Sequence, residues 1–363
     1  MIKLIKPYIS FDEVETEFRN IFESGWFTKG SNVKKFKEAL SEYAGARHVH
    51  LTTSATTALS TCLKLLDIKP GDEVLVSDFS FPATANVVED LYAVPIFVDV
   101  DPETFNMRPE ELDHRITKRT KAVIFVDALG NPSGIHRIKE ICAARGLPFI
   151  EDAACSLGSS ERGIRCGKIA DLTCYSFHPR KLLSTGEGGA ILTDRDDWDE
   201  WLKIKLEHGA DFKNGKFDFI EYGYNFRLPE LQAVMGIVQI QKLDAIIASR
   251  IKLKEEFKKW LEPAGYIAQR IGQDVIHNIQ SLVFIVPEGV SRDGLIAHLK
   301  TCGVESTLGT YCLSGCTYFK NRYHDVQPIS ERLQANTITF PCHSEVDPEN
   351  VCKVVLEYTQ GKT

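Results

Sequence analysis

Two residues in the middle of the chain are of the types that carbonyl chemistry needs. Lys181 follows His178-Pro179-Arg180 and precedes a glycine-rich run, Thr185-Gly186-Glu187-Gly188-Gly189. Proline blocks continued strand pairing, and glycine suits tight turns or close backbone approach. The lysine therefore sits on a turn between two apolar runs, Leu172 to Phe177 and Ala190 to Leu192. It is either a surface charge or an amine held at the mouth of a pocket. Asp152 follows another apolar run, Pro148 to Ile150. It is a helix cap or hydrogen-bonded strand end, or a carboxylate aimed at a ligand. A lysine amine forms a Schiff base with an aldehyde, and a carboxylate and a cationic ring nitrogen keep each other charged. A third feature is the hydroxyl-rich stretch Thr52 to Thr57, which joins the run His48 to Leu51 to a helix carrying Leu59, Cys62, Leu63 and Leu66 at helical spacing. The free amides and dipole of a helix N-terminus suit an anion such as phosphate. Ordinary capping by Ser54 or Thr56 is the alternative. The stretch is not a P-loop, because the glycines and the Lys-Ser/Thr pair are missing.

The elements around these residues alternate. Strands are expected at Glu73 to Ser77, Pro95 to Val100, Lys121 to Asp127, Pro148 to Ile150, Leu172 to Phe177 and Gly189 to Thr193. Helices are expected at Ala83 to Tyr92, Pro109 to Ile116 and Gly134 to Arg145. The strands are short and continuously apolar, the pattern of a mostly parallel sheet covered on both faces, and the helices supply the crossovers. Ligands of such sheets collect beyond the C-terminal strand ends. The Ser54–Thr57 turn, the Asp78-Phe79-Ser80-Phe81 turn, Asp127 with Asn131, and Glu151-Asp152 all fall there, with Ser176 and Lys181 on the same face.

Before this alternation, helices are expected at about Phe11 to Phe22 and Val33 to Tyr43, with Trp26 and Phe27 buried against a neighbour. After it comes the loop Tyr222-Gly223-Tyr224-Asn225-Phe226-Arg227. One long helix from Pro229 to Leu261 then bridges a large domain, residues 1–245, to a smaller α+β domain, residues 246–363. The smaller domain is expected to hold a strand near Gln280 to Val286, a helix capped by Ser291, a polar stretch from Cys312 to Val326, a strand from Thr337 to Phe340 and a final helix from Pro348.

Bulk properties narrow the function. The 363 residues carry a net charge of −7, without a basic run interleaved with aromatics, which disfavours nucleic acid. No segment has the apolar length of a membrane span and the start lacks a signal-peptide pattern, so a soluble cytoplasmic protein is expected. Ten scattered cysteines read as reduced core residues rather than disulfides. Cys312 and Cys316 with His324 and His343 lack the spacing of a zinc site, and no metal is expected.

Taken together, the strand-end carboxylate and the lysine call for a cofactor with both a cationic ring nitrogen and an aldehyde. Pyridoxal phosphate has both. Asp152 would face the ring nitrogen, Lys181 would bind the aldehyde and later shuttle a proton, and Phe81 could cover the ring. Ser54, Thr56 and Ser176 could take the phosphate, with Asn225 arriving from elsewhere in the fold.

Seven ordered pieces then carry a family resemblance: SGWFTKG from Ser24, TSATTAL from Thr53, PGDEVLVSDFSFPATAN from Pro70, PIFVDVDPETFN from Pro95, IEDAACSLGS from Ile150, YSFHPRKLLSTGEGGAILT from Tyr175 and YGYNFRLPELQA from Tyr222. The chain resembles the DegT/DnrJ/EryC1/StrS sugar-nucleotide aminotransferases. The resemblance implies an α/β protein of PLP fold type I with a mostly parallel central sheet covered by helices and a smaller C-terminal α+β domain. It implies Lys181 as the Schiff-base lysine, Asp152 facing the pyridine nitrogen, Phe81 on the ring, and Ala55, Thr56 and Ser176 at the phosphate. It also implies a homodimer with shared active sites, in which Asn225 reaches the partner subunit's cofactor. The implied donor is L-glutamate, yielding 2-oxoglutarate, and the implied acceptor is a nucleotide-linked keto-deoxysugar. Other pyridoxal-phosphate reactions, on a cyclitol or aminoshikimate-type ketone or a sugar dehydration, are the alternative, as is a non-catalytic sensory protein. Four positions depart from the family pattern: Ala55 replaces a glycine, Tyr92 a glycine, Asp127 a histidine and Cys155 a glutamine.

Overall fold

The apolar runs become seven strands of one sheet: β1 (His48–Thr52), β2 (Glu73–Ser77), β3 (Val94–Val98), β4 (Thr120–Val126), β5 (Phe149–Asp152), β6 (Leu172–Ser176) and β7 (Gly189–Thr193). The computed structural model describes residues 1–213 and 215–361. The strand order is β1-β7-β6-β5-β4-β2-β3. From β6 to β3 every pairing is parallel, and β7 is antiparallel to both its neighbours. The expected mostly parallel sheet is present.

Alternate residues of each strand serve opposite faces, and both faces are covered. Helices α1 (Glu15–Ser24), α2 (Ser31–Ala44), α3 (Ala55–Leu65), α4 (Ala83–Glu89), α5 (Pro109–Arg115), α6 (Ile135–Arg145) and α7 (Asp196–Lys205) precede or intersperse the sheet's later connections. Val74, Val76, Ile124 and Ile150 pack with Leu59, Cys62 and Leu63 of α3. Leu75, Val123, Phe125 and Phe149 pack oppositely, with Leu112 of α5 and Ile135 and Ile138 of α6.

After β7 a hairpin, β8 (Ala210–Lys213) and β9 (Lys216–Phe219), leads into α8 (Glu230–Ile240) and α9 (Leu243–Leu261). The single long helix expected from Pro229 to Leu261 is instead these two helices, bent by 58°. Lys242 leaves the helical region, with φ −112° and ψ 6°. Ala233 and Ile240 of α8 join the core that holds Phe36 of α2, while Phe257 and Leu261 of α9 enter a separate core. α9 itself also feeds the first core through Leu243, Ile246 and Ile247, so it spans both, and no proline or glycine marks the break. Packing of α8 on α2 is close: a Cβ at Gly236 would lie 2.3 Å from the Phe36 ring. The Glu230 carboxylate also accepts the amides of Gly30, Asn32 and Val33 at 2.8, 2.9 and 2.9 Å, capping α2 from a distant helix. Among the described residues no single helix is long and apolar enough to cross a membrane.

The rest of the chain adds β10 (Ile267–Ala268), β11 (Leu282–Ile285), α10 (Arg292–Thr301), β12 (Thr307–Leu308), α11 (Thr317–Tyr323), α12 (Pro328–Asn336), β13 (Thr337–Phe340) and α13 (Pro348–Gln360). Its sheet, ordered β10-β11-β13-β12, is antiparallel throughout. Ser291 caps α10 as expected, accepting the Gly294 amide at 3.1 Å.

Two expectations fail here. The stretch from Cys312 to Val326, expected only to be polar, also holds buried apolar residues, Leu313 and Phe319 among them. Tyr311–Cys312 pairs antiparallel with Phe79–Ser80, and α11 sends Phe319 into the main-sheet core, 5.3 Å from the Phe97 ring centroid. Trp26 and Phe27 are not buried in the chain: they are 62% and 43% exposed, because the chain crosses there from α1 to α2 over the surface.

Candidate active site

Asp152 ends β5 at the C-terminal edge of the sheet, where the register places it beside Val126 and Cys174. Its carboxylate is buried. Oδ2 accepts from Thr84 Oγ1 at 2.8 Å and Oδ1 accepts from the Ala154 amide at 3.3 Å. Burial pushes its pKa up, while the Thr84 hydroxyl, the Ala154 amide and the Lys181 cation pull it back. A cation brought into the cavity would hold it ionised.

Lys181 lies on the turn after β6, its amide bonded to the His178 carbonyl at 2.8 Å. The turn is gripped by a residue from a hundred positions on. Gln280 Nε2 donates to the Arg180 carbonyl at 2.6 Å, and the Leu182 amide donates to Gln280 Oε1 at 2.9 Å. Lys181 is thus clamped on both flanks. Its Nζ lies 3.1 Å from Cys155 Sγ.

The hydroxyl-rich turn opens α3 through a capping box. Ser54 Oγ accepts the Thr57 amide at 3.1 Å, and Thr57 Oγ1 accepts the Ser54 amide at 3.1 Å. The capping reading is therefore correct, and it leaves the amides of Ala55 and Thr56 at the helix mouth. Ala55 is the first residue of α3 and is not among the residues with positive φ, so alanine fits there without strain. β7 reaches this turn closely: a Cβ on Gly189 would lie 2.5 Å from the Ser54 carbonyl carbon. Gly189 pairs with Ser176, which places that serine beside the same turn.

These pieces line one cavity of about 510 Å³. Ala55, Thr56, Phe81, Asp152, Ser176 and Lys181 are all on its wall, with Ser54, Cys155, Gln280 and Tyr311. The Phe81 ring is 63% exposed, its centroid 6.2 Å from that of Tyr311. Asn225 is exposed and not among the lining residues. Sequence reading missed Thr84, Gln280 and Tyr311. Thr84 was within reach, as a hydroxyl in the first turn of α4 three residues past Phe81. Gln280 and Tyr311 carried no signal, since each acts through long-range contact.

Asp127 lies next to this cavity and is fully buried. Ser156 Oγ donates to its Oδ2. Burial and the neighbouring Glu151 push its pKa well up. Asp127, Glu151 and the Cys166 thiol lie within 4.8 Å of one another, and burial pushes both carboxyls up, which favours a proton on this pair. Here the acid is a core hydrogen-bonding group. Tyr92, by contrast, stands with φ 56°, the left-handed region that a glycine would occupy freely.

The residues fit pyridoxal phosphate. A buried carboxylate, a lysine amine, an exposed aromatic face and a helix mouth with two uncommitted amides converge on one space. Fold and site together define an enzyme of PLP fold type I. The model of the DegT/DnrJ/EryC1/StrS aminotransferase family matches residues 10–358. GDP-perosamine synthase of Caulobacter vibrioides is 29% identical over 93% of this chain and 92% of its own length. UDP-2-acetamido-2-deoxy-3-oxo-D-glucuronate aminotransferase of Pseudomonas aeruginosa is 32% identical over 82% of this chain and 81% of its own. The crystal structure of a DegT/DnrJ/EryC1/StrS aminotransferase from Brucella abortus superposes with a TM-score of 0.89 at 29% identity, covering 96% of this chain and 95% of that one. The chain belongs to the DegT/DnrJ/EryC1/StrS aminotransferase family, and its activity is that of a pyridoxal-phosphate-dependent transaminase.

Proposed function

We propose that this chain moves an amino group from L-glutamate to the keto group of a nucleotide-linked deoxysugar, releasing 2-oxoglutarate. The observation that carries this reading is the convergence of Lys181, Asp152, Phe81 and the α3 mouth on one cavity. Two relatives with names that specify GDP- and UDP-linked sugars favour the acceptor class.

The bound cofactor supplies an aldehyde that carries the amino group and a ring that draws electrons from the substrate carbon. Asp152 holds the charged ring nitrogen, and Thr84 and the Ala154 amide hold Asp152 in place. Phe81 covers one ring face. The amides of Ala55 and Thr56, with the Ser176 hydroxyl, take the phosphate. Lys181 anchors the cofactor between turnovers and, once released, moves a proton at the substrate carbon. Gln280 orients it by fixing both peptide neighbours. Asn225, absent from this chain's own cavity, reaches the partner subunit's phosphate in a homodimer. The division into a cofactor-holding part, residues 1–245, and a smaller part, residues 246–363, belongs to the same proposal.

The test is an absorption spectrum of the purified protein loaded with pyridoxal phosphate, before and after L-glutamate. A panel of nucleotide-linked keto-sugars follows. The expected result is a visible cofactor band bleached by glutamate and restored by one keto-sugar. A band that glutamate leaves untouched rejects the donor. A band restored only by cyclitol-type ketones rejects the sugar acceptor.

A further inference from the structure

Cys155 and Lys181 meet on the cavity wall, sulfur to nitrogen at 3.1 Å. The fold imposes this meeting. Asn278 Nδ2 donates to the Cys155 carbonyl at 2.8 Å, pinning one backbone. The Gln280 clamp and the His178 carbonyl pin the other. The pair is also accessible. Cys62 and Cys174 lie 3.5 Å apart, but both are fully buried. Cys155 is partly exposed and opens on the cavity.

We infer that a hydroperoxide joins Cys155 and Lys181 through a reversible sulfur–nitrogen bond, which withdraws the amine from cofactor binding. The Cys155 sulfur attacks one peroxide oxygen. The O–O bond breaks, sulfur gives up two electrons, and with hydrogen peroxide one water leaves behind a sulfenic acid. The Lys181 amine then attacks that sulfur. The S–N bond forms, the S–O bond breaks, and hydroxide leaves with a proton from nitrogen as a second water. The flexible four-carbon stem of lysine closes the remaining gap by a rotamer change. A dithiol reductant reverses the link, being oxidised to its disulfide while thiol and amine return. Cofactor already on Lys181 occupies the nitrogen, so the loaded enzyme is protected and the unloaded one is the target. That consequence rests on the cofactor reading above. The link itself does not.

The experiment treats the full-length protein, with and without bound pyridoxal phosphate, with hydrogen peroxide. Tandem mass spectrometry of its digest follows. The expected product in the unloaded protein is the Cys155 peptide joined to the Lys181 peptide, lighter by two hydrogens than their sum. Dithiothreitol should remove it, and Cys155→Ser should never form it. Pyridoxal phosphate uptake, read by absorbance, should be lost with the link and recovered after reduction. Cys155 found as sulfinic acid beside a free Lys181, or Cys155 joined to another residue, overturns the inference. A link that forms in a protein which never binds pyridoxal phosphate upholds the chemistry and overturns the cofactor reading instead.

Discussion

At the scale of single residues, the site is a set of charges whose partners are fixed. Asp152 is surrounded by a hydroxyl, an amide and a lysine, and among the described residues by no other acid that hydrogen-bonds to it. Asp152→Asn keeps the shape and removes the charge. It is expected to retain pyridoxal phosphate yet lose turnover by about 10²-fold or more, the scale on which removing one aligned electrostatic group acts. Lys181→Ala is expected to fold normally and lose the cofactor band with the activity. Steady-state rates and absorbance check both, and an unchanged rate in either variant would sink its role. A different cost sits at Tyr92. Its left-handed backbone costs a non-glycine residue about 1–2 kcal/mol, and its side chain is 77% exposed with little to lose. Tyr92→Gly is expected to raise stability by less than about 1 kcal/mol, and the unfolding midpoint with it, after the added freedom of the unfolded chain is subtracted. Thermal denaturation decides it, and a lowered midpoint means that the tyrosine ring contributes more than its exposure suggests.

At the scale of elements, the least local contact is the most consequential. The strand Tyr311–Cys312 lies along Phe79–Ser80, and just below it Asp78 is wrapped by the later segment. Its Oδ1 accepts the Ser314 amide at 2.7 Å. Its Oδ2 accepts the Ser314 hydroxyl at 2.9 Å and the Cys312 thiol at 3.2 Å. Burial pushes Asp78 up to about 6, above the unfolded value of about 3.9. The folded protein thus holds this proton more tightly. Its stabilising contribution is complete below about pH 4 and is lost as pH rises through about 6. Two pKa steps correspond to about 3 kcal/mol. Asp78→Asn keeps an acceptor for the Ser314 amide and removes the titration. Its melting temperature relative to wild type should climb between about pH 4 and about pH 7, and parallel curves would reject the assignment. Strands and helices of the main sheet were legible in the sequence because each writes its own apolar period: Glu73–Ser77 and Gly189–Thr193 were bounded to the residue. The bend between α8 and α9, the exposure of Trp26 and the clamp by Gln280 were not. The clamp joins segments a hundred positions apart, and Trp26 lies exposed on the chain's surface.

The whole molecule presents aromatic surface that its own chain does not cover. Phe212, Phe217 and Phe219 on the hairpin, with Tyr222 after it, are more than half exposed. The hairpin is tethered where Lys205 meets Glu221 and donates to the Tyr222 carbonyl at 3.0 Å. The proposed homodimer predicts twice the chain mass in light scattering. It also predicts that Asn225→Ala weakens cofactor retention without altering that mass. A monomer that binds the cofactor fully would reject the shared site. The class of cofactor was readable because the lysine, the aspartate and the hydroxyl turn each lie at or just past the end of a strand. The identity of the sugar was not, since no residue type in the cavity names it.

The cavity wall has a consequence for synthesis. Leu4, Ser54, Asp152, Lys181, Gln280, Tyr311 and Cys342 border the same space. A nascent chain emerging from the ribosome can pair β1 to β7 as soon as Thr193 is free, but the clamp on the lysine turn must wait for Gln280 and the strand beside Phe81 for Tyr311. The main sheet can thus form during translation while the vitamin-binding pocket is finished only near its end. Truncation of the message between the codons of Thr193 and Gln280 would then leave the sheet's strands complete but the lysine turn without its clamp.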